Sequence, residues 1–323
     1  MHVLVTGGAG YIGSHVAKLL SAHKHVPITV DNFSTGHPEA IKWGPGIRGN
    51  VGDQALMRRV FREYDIGAIM HFAGSAYVAD SVANPREYFH NNVVETLALL
   101  QVALEANVKK IVFSSTCATY GIPQTLPIAE DTLQIPITPY GESKLFVEKI
   151  LRHYAKAYGL RWAALRYFNA AGADPDGDIG ERHDPETHLI PLVLQVAKGE
   201  RDFIQIYGTN YQTPDATAIR DYVHVTDLAM AHLLAFERLN DGNLGFAVNL
   251  GTGRGISVAE VIATARRITG ERIAVKAGPR RPGDPPELVA SCTRAREMLG
   301  WMPRYSDPAT IIQTAWNWHS RSR

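Results

Sequence analysis

The feature that most constrains the fold is a glycine-rich turn near the start of the chain, set between a short apolar run and a helical stretch. The run from Val3 to Thr6 is typical of a buried strand, and helical character follows from Ile12 to Leu20. Between them Gly7, Gly10 and Gly13 are spaced three apart, where a Cβ would obstruct a tight reversal and close helix–strand packing. The exposed N–H groups and the positive end of the helix dipole favour phosphate, so the turn predicts a nucleotide-binding β–α unit.

The rest of the first half alternates strands with helices. Further strands are predicted at 28–31, 68–72, 111–115 and 162–168, and apolar residues from Val93 to Leu104 form one helical stripe. The pattern predicts an α/β protein with a Rossmann-type, doubly wound parallel sheet and a smaller, mainly C-terminal substrate-binding domain. We expect residues 1–169 and about 218–250 in the nucleotide-binding domain, and about 170–217 and 251–323 in the smaller one.

Composition excludes several classes of function. The 33 basic and 32 acidic residues give a formal net charge of +1, which leaves no basic surplus for nucleic acid or an anionic membrane. The two cysteines, Cys117 and Cys292, form neither a disulfide framework nor a metal-ligand cluster, so we expect no metal. The start of the chain lacks a signal-peptide pattern and no apolar run reaches membrane-spanning length, which favours a cytoplasmic protein.

An acidic residue after the glycine turn indicates which dinucleotide is bound. Asp31 ends the second predicted strand, 18 positions after Gly13, where a carboxylate can bind ribose hydroxyls. It would repel a 2′-phosphate, so NAD is favoured over NADP. The alternative, a simple turn residue at Asp31, stays open.

Tyr140 and Lys144 stand at i and i+4, so they share one face of a helix that Thr138 caps and Pro139 begins. A free phenol has a pKa of roughly 10, and it would have to fall by about three units for Tyr140 to act as a base near neutral pH. The lysine and a cationic nicotinamide are suitable sources of that shift. The position of the pair after a strand favours catalysis over chance.

The strand before that helix ends in Ser114, Ser115 and Thr116. A hydroxyl at the carboxyl end of a parallel strand points into the ligand crevice, so Thr116 is a candidate to bind a reacting hydroxyl. A strand-capping turn is the alternative for Thr116 and the preferred interpretation of Ser114.

Taken together, these motifs resemble the extended short-chain dehydrogenase/reductase (SDR) family over almost the whole chain, and within it the UDP-glucose 4-epimerases. The more specific similarities are the runs at 71–74, 91–93, 165–172, 220–225 and 280–284. Where Thr116 stands the family often has Ser, Ala76 replaces a cofactor-contacting lysine, and His188 stands where Asn is common.

The resemblance implies a role for each matching residue. NAD, tightly bound and recycled, would be held by Gly7, Gly10, Tyr11, Ile12, Gly13, Asp31, Asn32, Asp53, Phe72, Ala73, Gly74, Asn92, Lys144 and Tyr167. Thr116, Tyr140 and Lys144 would be catalytic, with Thr116 and Tyr140 acting on the sugar 4-hydroxyl through a 4-keto intermediate. The UDP-sugar would contact Asn169, His188, Arg220, Arg281, Asp284 and Leu288, the last bordering the sugar's 2-substituent. The two arginines suit a diphosphate, although surface salt bridges remain an alternative for each.

The implied activity is the interconversion of UDP-glucose and UDP-galactose. Alternatives are 4-epimerisation of UDP-xylose/UDP-arabinose, UDP-glucuronate or UDP-N-acetylglucosamine, a 4,6-dehydratase, and a non-catalytic NAD sensor. The dehydratase is disfavoured because Cys117 and Ala118, not an acid, follow Thr116. The Tyr140–Lys144 pair argues against the sensor. Apolar helices at 93–104 and 141–158 predict a homodimer formed through a four-helix bundle.

Overall fold

The structure is a computed structural model that describes residues 1–242, 244–281 and 283–321. Pro282, part of the run at 280–284, lies outside the described residues. The strands are β1 His2–Thr6, β2 Val26–Asp31, β3 Gly46–Arg48, β4 Ile66–His71, β5 Lys110–Thr116, β6 Arg161–Tyr167, β7 Asn169–Ala171, β8 Ile204–Tyr207, β9 Ile219–His224, β10 Gly245–Leu250, β11 Gly255–Ser257, β12 Val275–Gly278 and β13 Glu287–Leu288.

The α-helices follow the same chain order. They are α1 Tyr11–Ala22, α2 Gln54–Tyr64, α3 Val78–Ala83, α4 Pro85–Phe89, α5 Glu95–Glu105, α6 Pro139–Tyr158, α7 Leu189–Ala197, α8 Val225–Asn240, α9 Val258–Thr269, α10 Thr293–Leu299 and α11 Pro308–Arg321. Short 3₁₀ turns span Pro38–Ala40 and Cys117–Tyr120, and a π-helical turn spans His90–Val94. No helix in the described ranges has the length and apolar character needed to cross a membrane.

The large sheet has seven parallel strands in the order β10-β6-β5-β4-β1-β2-β3. The predicted doubly wound parallel fold is therefore confirmed. The chain leaves β1 toward β2 on one side and later returns to β4 on the other. Ligands of open α/β sheets bind at such a reversal of strand order, and here the glycine turn lies at its carboxyl edge.

Apolar layers cover both faces of this sheet. One core packs the strands against α1, α8 and α10, with Leu20 and Phe236 fully or almost fully buried. The other packs them against α2, α5 and α6, where Leu100, Val147 and Leu151 are completely buried. Near-continuous apolar strands are what a sheet buried on both faces requires.

The smaller part contains α7, α9 and α11 around a third core. Its sheets are β11-β9-β13, with β7 also pairing with β9, and β12-β8. Two details differ from the expected boundaries. Strand β9 at 219–224 pairs within the smaller sheet, so the chain returns to the large sheet at α8. Near the C-terminus, Leu299 and Trp301 join the core of the large sheet, because apolar side chains of α10 complete the layer beside α8.

Candidate active site

A cleft of about 1760 Å³ lies between the carboxyl edge of the large sheet and the smaller part. It brings together most of the predicted site residues. Its walls include Gly7, Gly10, Tyr11, Ile12, Gly13, Asp31, Asn32, Phe72, Ala73, Gly74, Thr116, Tyr140, Lys144, Tyr167, Asn169, His188, Arg220, Arg281, Asp284 and Leu288.

The glycine turn is built as the sequence requires. Gly7 has a φ of +67°, and a Cβ there would lie 2.7 Å from the Ala73 nitrogen. At Gly13 a Cβ would approach the Gly7 carbonyl oxygen to 2.4 Å. The turn, the start of α1 and the end of β4 therefore approach each other more closely than any side chain allows.

Asp31 supports this turn from the end of β2. Its carboxylate accepts hydrogen bonds from the backbone N–H groups of Ala9 at 3.0 Å and Phe33 at 2.8 Å. The side chain is buried and lines the cleft, and burial raises its pKa. The carboxylate thus fixes the geometry of the glycine turn while facing the place where a ribose is expected.

Helix α6 places the catalytic candidates. The Thr138 side chain caps the helix by accepting from the Gly141 N–H at 3.2 Å, and Pro139 occupies the first turn. Tyr140 therefore lies at the first turn, in hydrogen-bonding contact with the Thr116 hydroxyl. The Lys144 Nζ lies 5.9 Å from the centre of the Tyr140 ring and donates to the Ser114 carbonyl at 3.0 Å. One phenol, one hydroxyl and one ammonium thus converge at the end of β5.

The electrostatics differ from the sequence-based expectation of a phenol made more acidic. Burial raises the pKa of Tyr140 to about 12, although the hydrogen bond from Thr116 opposes the rise. Burial also lowers the pKa of Lys144 to about 8. The protein alone disfavours both charged forms because the site is poorly solvated. A phenolate at Tyr140 therefore needs stabilisation by positive charge close to it.

The opposite wall carries the two arginines. Arg220 forms an ion pair of 2.5 Å with Asp284, although the two residues are far apart in sequence. The Arg281 guanidinium lies 4.2 Å from the centre of the Tyr207 ring. Leu288 lies opposite Arg220 in the β13–β9 pair and packs against the small apolar cluster that includes Phe168. Leu288 is therefore held in place by both strand pairing and packing.

Two predicted cofactor residues are not brought to the cleft. Asp53 caps α2, with its carboxylate accepting from the Leu56 N–H at 3.0 Å, and the nearby Asn50 and Val51 line the cleft in its place. Asn92 is buried behind the wall, where it accepts from the Ser75 N–H at 2.7 Å and donates to the Ser143 hydroxyl at 2.9 Å. It positions the loop after β4 from behind. The sequence alone does not distinguish these two supporting residues from polar residues that line the cleft.

Sequence reasoning also missed a group of titratable residues in the loop before α7. His188, expected to contact UDP, places its Nδ1 atom 2.9 Å from Glu181 and 3.2 Å from Glu186, and His183 lies beside the same two carboxylates. These carboxylates raise the pKa of His183 to about 9 and that of His188 to about 10, against the opposing effect of burial. The alternating Glu and His residues at 181, 183, 186 and 188 are the sequence pattern from which this cluster could have been predicted.

The residues fit a dinucleotide. Helix α1 begins without a side-chain cap, so its first N–H groups have neither an intrahelical acceptor nor a capping oxygen. Those donors and the positive helix end face the cleft beside Asp31, and Tyr167 and Phe72 form apolar walls further along. The Tyr167 hydroxyl is fixed by His232 Nε2 at 2.6 Å. An uncapped helix end next to a glycine cradle is what a pyrophosphate requires.

Comparison with known proteins agrees with this geometry. The model of the NAD dependent epimerase/dehydratase family matches residues 3–251. The chain is 50% identical over 319 residues to a UDP-glucose 4-epimerase of Halalkalibacterium halodurans, covering 99% of this chain and 96% of the relative. It is also 50% identical over 322 residues to the enzyme of Lacticaseibacillus casei, covering 99% and 97%.

Solved structures show the same relationship. A UDP-glucose 4-epimerase from Brucella ovis in complex with NAD superposes with a TM-score of 0.96 at 51% identity, covering 98% of this chain and 97% of that one. The enzyme from Bifidobacterium longum in complex with NAD⁺ and UDP gives a TM-score of 0.95 at 40% identity, covering 100% and 99%. The chain therefore belongs to the NAD dependent epimerase/dehydratase family, in the branch of the UDP-glucose 4-epimerases.

Proposed function

We propose that this chain interconverts UDP-glucose and UDP-galactose by 4-epimerisation, with one NAD held through the reaction. The observation that carries the proposal is the convergence of Tyr140, Thr116 and Lys144 at the end of β5, beside an uncapped nucleotide-binding turn. Relatives at 50% identity over nearly the full length carry the name of this activity.

Tyr140 is the base and the acid of the reaction. Its phenolate removes the proton of the sugar 4-hydroxyl as C4 becomes a carbonyl, and its phenol returns a proton when the alcohol is re-formed. Thr116, already in contact with the phenol, holds the same oxygen. Lys144 lies close enough for its ammonium to stabilise the phenolate, and its bond to the Ser114 carbonyl keeps it there.

NAD, when bound, supplies the acceptor for the C4 hydride and gives it back, so no net redox change occurs. The glycine turn and α1 would hold its pyrophosphate, and Asp31 a ribose. Lys144, Tyr167 and Phe72 would border its reactive end. The carboxylate of Asp31 is the feature that disfavours a 2′-phosphate.

The wall of the cleft that carries the two arginines suits the UDP part. Arg220 and Arg281 supply two fixed cations, and Asp284 orients Arg220. Asn169 and His188 line the same region. Arginine grips phosphate oxygens through paired N–H donors, so this wall can hold the diphosphate while the sugar presents either face to Tyr140.

The family also includes dehydratases, and Cys117 argues against that reaction here. A dehydratase must move protons at further carbons, so it needs an acid beside Thr116. Burial raises the pKa of the Cys117 thiol to about 12, and Ala118 has no proton to give. The site is therefore equipped for one proton transfer at one oxygen.

Three finer properties belong to the same proposal. The family resemblance implies that Leu288 borders the sugar's 2-substituent, and Leu288 lines the cleft, so we expect UDP-glucose and UDP-galactose to be the main substrates and UDP-N-acetylglucosamine a weak one. The chain acts as a homodimer, supported by the partly apolar groove that Leu97, Leu104, Tyr154 and Tyr158 line. It works in the cytoplasm, which suits two cysteines that form no disulfide.

The experiment is a comparison of nucleotide sugars with the purified protein. UDP-galactose, UDP-xylose, UDP-glucuronate and UDP-N-acetylglucosamine are supplied side by side, and the 4-epimer of each is quantified. We expect UDP-galactose to give the highest kcat/KM. A higher value for any of the other three would replace the proposed substrate, and a 4-keto-6-deoxy product would replace the reaction.

A further inference from the structure

Four potential metal ligands meet in the loop that joins β7 to α7. Their metal-binding atoms, one from each of Glu181, His183, Glu186 and His188, all lie within 4.8 Å of one another. Glu181 is buried, with 4% of the residue exposed, and His183 and Glu186 are half-buried. The ligands come from eight consecutive residues, so the loop itself builds the cluster.

The distances between the ligand atoms can be compared with those of a tetrahedral metal site. His188 Nδ1 lies 2.9 Å from Glu181 Oε1 and 3.2 Å from Glu186 Oε1. His183 Nδ1 lies 3.4 Å from Glu181 Oε1 and 3.5 Å from Glu186 Oε2. Ligands at about 2.0–2.2 Å from a tetrahedral zinc ion are separated from each other by roughly 3.3–3.6 Å. The two distances from His183 fall within that range, whereas the two from His188 are shorter and have the length of hydrogen bonds. His188 would therefore have to move outward to bind a central ion together with the other three residues.

One ligand atom lacks a well-directed partner. His183 Nδ1 is inaccessible to solvent and makes no hydrogen bond of acceptable geometry, although two carboxylate oxygens lie within 3.5 Å. A buried nitrogen in that position costs free energy unless a ligand satisfies it. A metal ion at the centre of the cluster would bind this nitrogen and both carboxylates together.

Charge and surroundings favour a divalent ion that accepts nitrogen ligands. Two carboxylates balance a 2+ charge, and imidazole nitrogens select zinc-like ions over magnesium or calcium. The rings of Tyr11 and Tyr77 pack edge-on against His183, with centroids at 6.4 and 6.0 Å. The Trp318 indole donates to the Glu181 backbone carbonyl at 3.1 Å. These contacts hold the loop in place before any ion arrives.

We propose that Glu181, His183, Glu186 and His188 form a binding site for one divalent transition-metal ion of the Zn²⁺ type, at the mouth of the cleft. The site is separate from the catalytic group at Tyr140, and its existence does not depend on the proposed epimerase activity. Because His188 also lines the cleft, a bound ion would fix the side chain that borders the expected UDP position.

The test measures metal binding directly. Untagged, NAD-containing protein is dialysed against micromolar Zn²⁺ without any nucleotide sugar, and zinc per chain is determined by elemental analysis. We expect about one zinc per chain in the wild type, and a Co²⁺-loaded sample with the intense visible absorption of a tetrahedral site. Excess Mg²⁺ should not displace the zinc.

Matched variants assign the ligands. His183→Gln and Glu186→Gln should each lower the affinity for Zn²⁺ at least tenfold, while His153→Gln, at an exposed histidine of α6, should not change it. Circular dichroism and NAD content establish that each variant is folded. Wild-type protein that binds no zinc would overturn the proposal, as would folded His183→Gln and Glu186→Gln variants that bind it as tightly as His153→Gln does.

Discussion

Tyr140 is a weaker acid in this protein than a phenol in water, because burial raises its pKa to about 12. The hydrogen bond from Thr116 opposes that rise only in part. A cationic cofactor bound beside the phenol would stabilise the phenolate, so we propose that the cofactor makes Tyr140 a more effective base.

Replacing Tyr140 with Phe removes the only proposed base, so kcat should fall by a factor of about 10²–10⁴. Thr116→Val should be damaging but milder, because it removes one hydrogen bond. Turnover of UDP-galactose is the measurement, with circular dichroism and bound NAD as controls for folding. A Tyr140→Phe variant that keeps more than about a tenth of the rate would show that the base is another residue.

Lys144 gives a stability prediction that depends on pH. Burial lowers its pKa from 10.5 to about 8, a penalty of roughly 3 kcal/mol for the charged form at neutral pH. The unfolded chain binds more protons between pH 8 and 10.5, so the folded state gains stability as the pH rises through that window. In NAD-free protein, Lys144→Met should therefore increase the free energy of unfolding at pH 7 by about 1–3 kcal/mol, after loss of the bond to Ser114.

The measurement is denaturant unfolding of NAD-free wild type and Lys144→Met at pH 7 and pH 10. We expect the advantage of the variant to shrink as the pH rises and its epimerase activity to be nearly lost. A difference in stability that is the same at both pH values would contradict a buried, destabilised ammonium.

Substitution of Leu288 tests whether this residue limits the size of the substituent at C2 of the sugar. A larger side chain at this wall should suppress UDP-N-acetylglucosamine relative to UDP-galactose, since a hydrophobic pocket change discriminates by about 1–3 kcal/mol, or roughly 10–200-fold. Leu288→Tyr is the variant and Leu288→Met, of similar volume, the control. If Leu288→Tyr leaves the ratio of the two kcat/KM values unchanged, Leu288 does not border the 2-substituent.

At the residue scale, the sequence alone was enough to identify residues whose function depends directly on their spacing along the chain. The glycines at 7, 10 and 13 and the Tyr140–Lys144 pair are of this kind, because the turn and the helix face fix their neighbours. The roles of Asp53 and Asn92 were harder to predict. The carboxylate of Asp53 caps a helix and the amide of Asn92 supports a loop, but in the sequence neither can be distinguished from a residue that contacts the cofactor. The ligand roles proposed for the residues that do line the cleft stay predictions.

Helix α6 is the element on which the site depends. Its first turn carries Tyr140 and its second Lys144, and further along Glu148 forms a buried ion pair of 2.6 Å with Arg166 on β6. Glu148 also accepts from the Ser115 hydroxyl at 2.5 Å. A helix tied to both β5 and β6 holds the phenol in register with Thr116.

The outer faces of α5 and α6 carry the prediction of a homodimer. Leu97, Leu104, Tyr154 and Tyr158 line a groove there, and Tyr158 is 52% exposed. Two copies that pack these helices together would cover it with a four-helix arrangement. Light scattering at micromolar concentration should give twice the mass of the chain.

Leu97→Glu should weaken that dimer, because it buries a charge in the interface. Leu133→Glu, at a 73% exposed loop residue, should leave it intact and serves as the control. A monomer mass for the wild type would refute the expected assembly.

At this scale, apolar runs made five strands of the large sheet predictable, namely β1, β2, β4, β5 and β6. Neither β3, which has only three residues, nor β10 at the edge of the same sheet was predicted. Residues 219–224 were expected in the nucleotide-binding domain, and no strand was predicted there. They form β9, which pairs with β7, β11 and β13 in the smaller sheet, a tertiary pairing that local sequence pattern does not reveal.

At the scale of the whole molecule, the reversal of strand order beside β1 creates the crevice, and the smaller part closes it. This cleft carries Tyr140 on its wall, and we propose that a dinucleotide and a UDP-sugar lie in it end to end on either side of that residue. The parallel sheet and the glycine turn were predictable because both follow from local sequence patterns, namely the apolar runs and the spacing of the glycines. The cluster at 181–188 was not predicted, although its alternating Glu and His residues are visible in the sequence, because the pattern alone does not show that the loop folds their side chains together.

We propose above all that a single NAD stays bound to the chain and is recycled. The direct measurement is the conversion of UDP-galactose to UDP-glucose by purified protein with no nucleotide added, together with the dinucleotide released on denaturation. We expect many turnovers per chain and about one NAD released per chain. Protein that is active only when NADP is supplied, or that carries NAD yet leaves UDP-galactose unchanged, would contradict it.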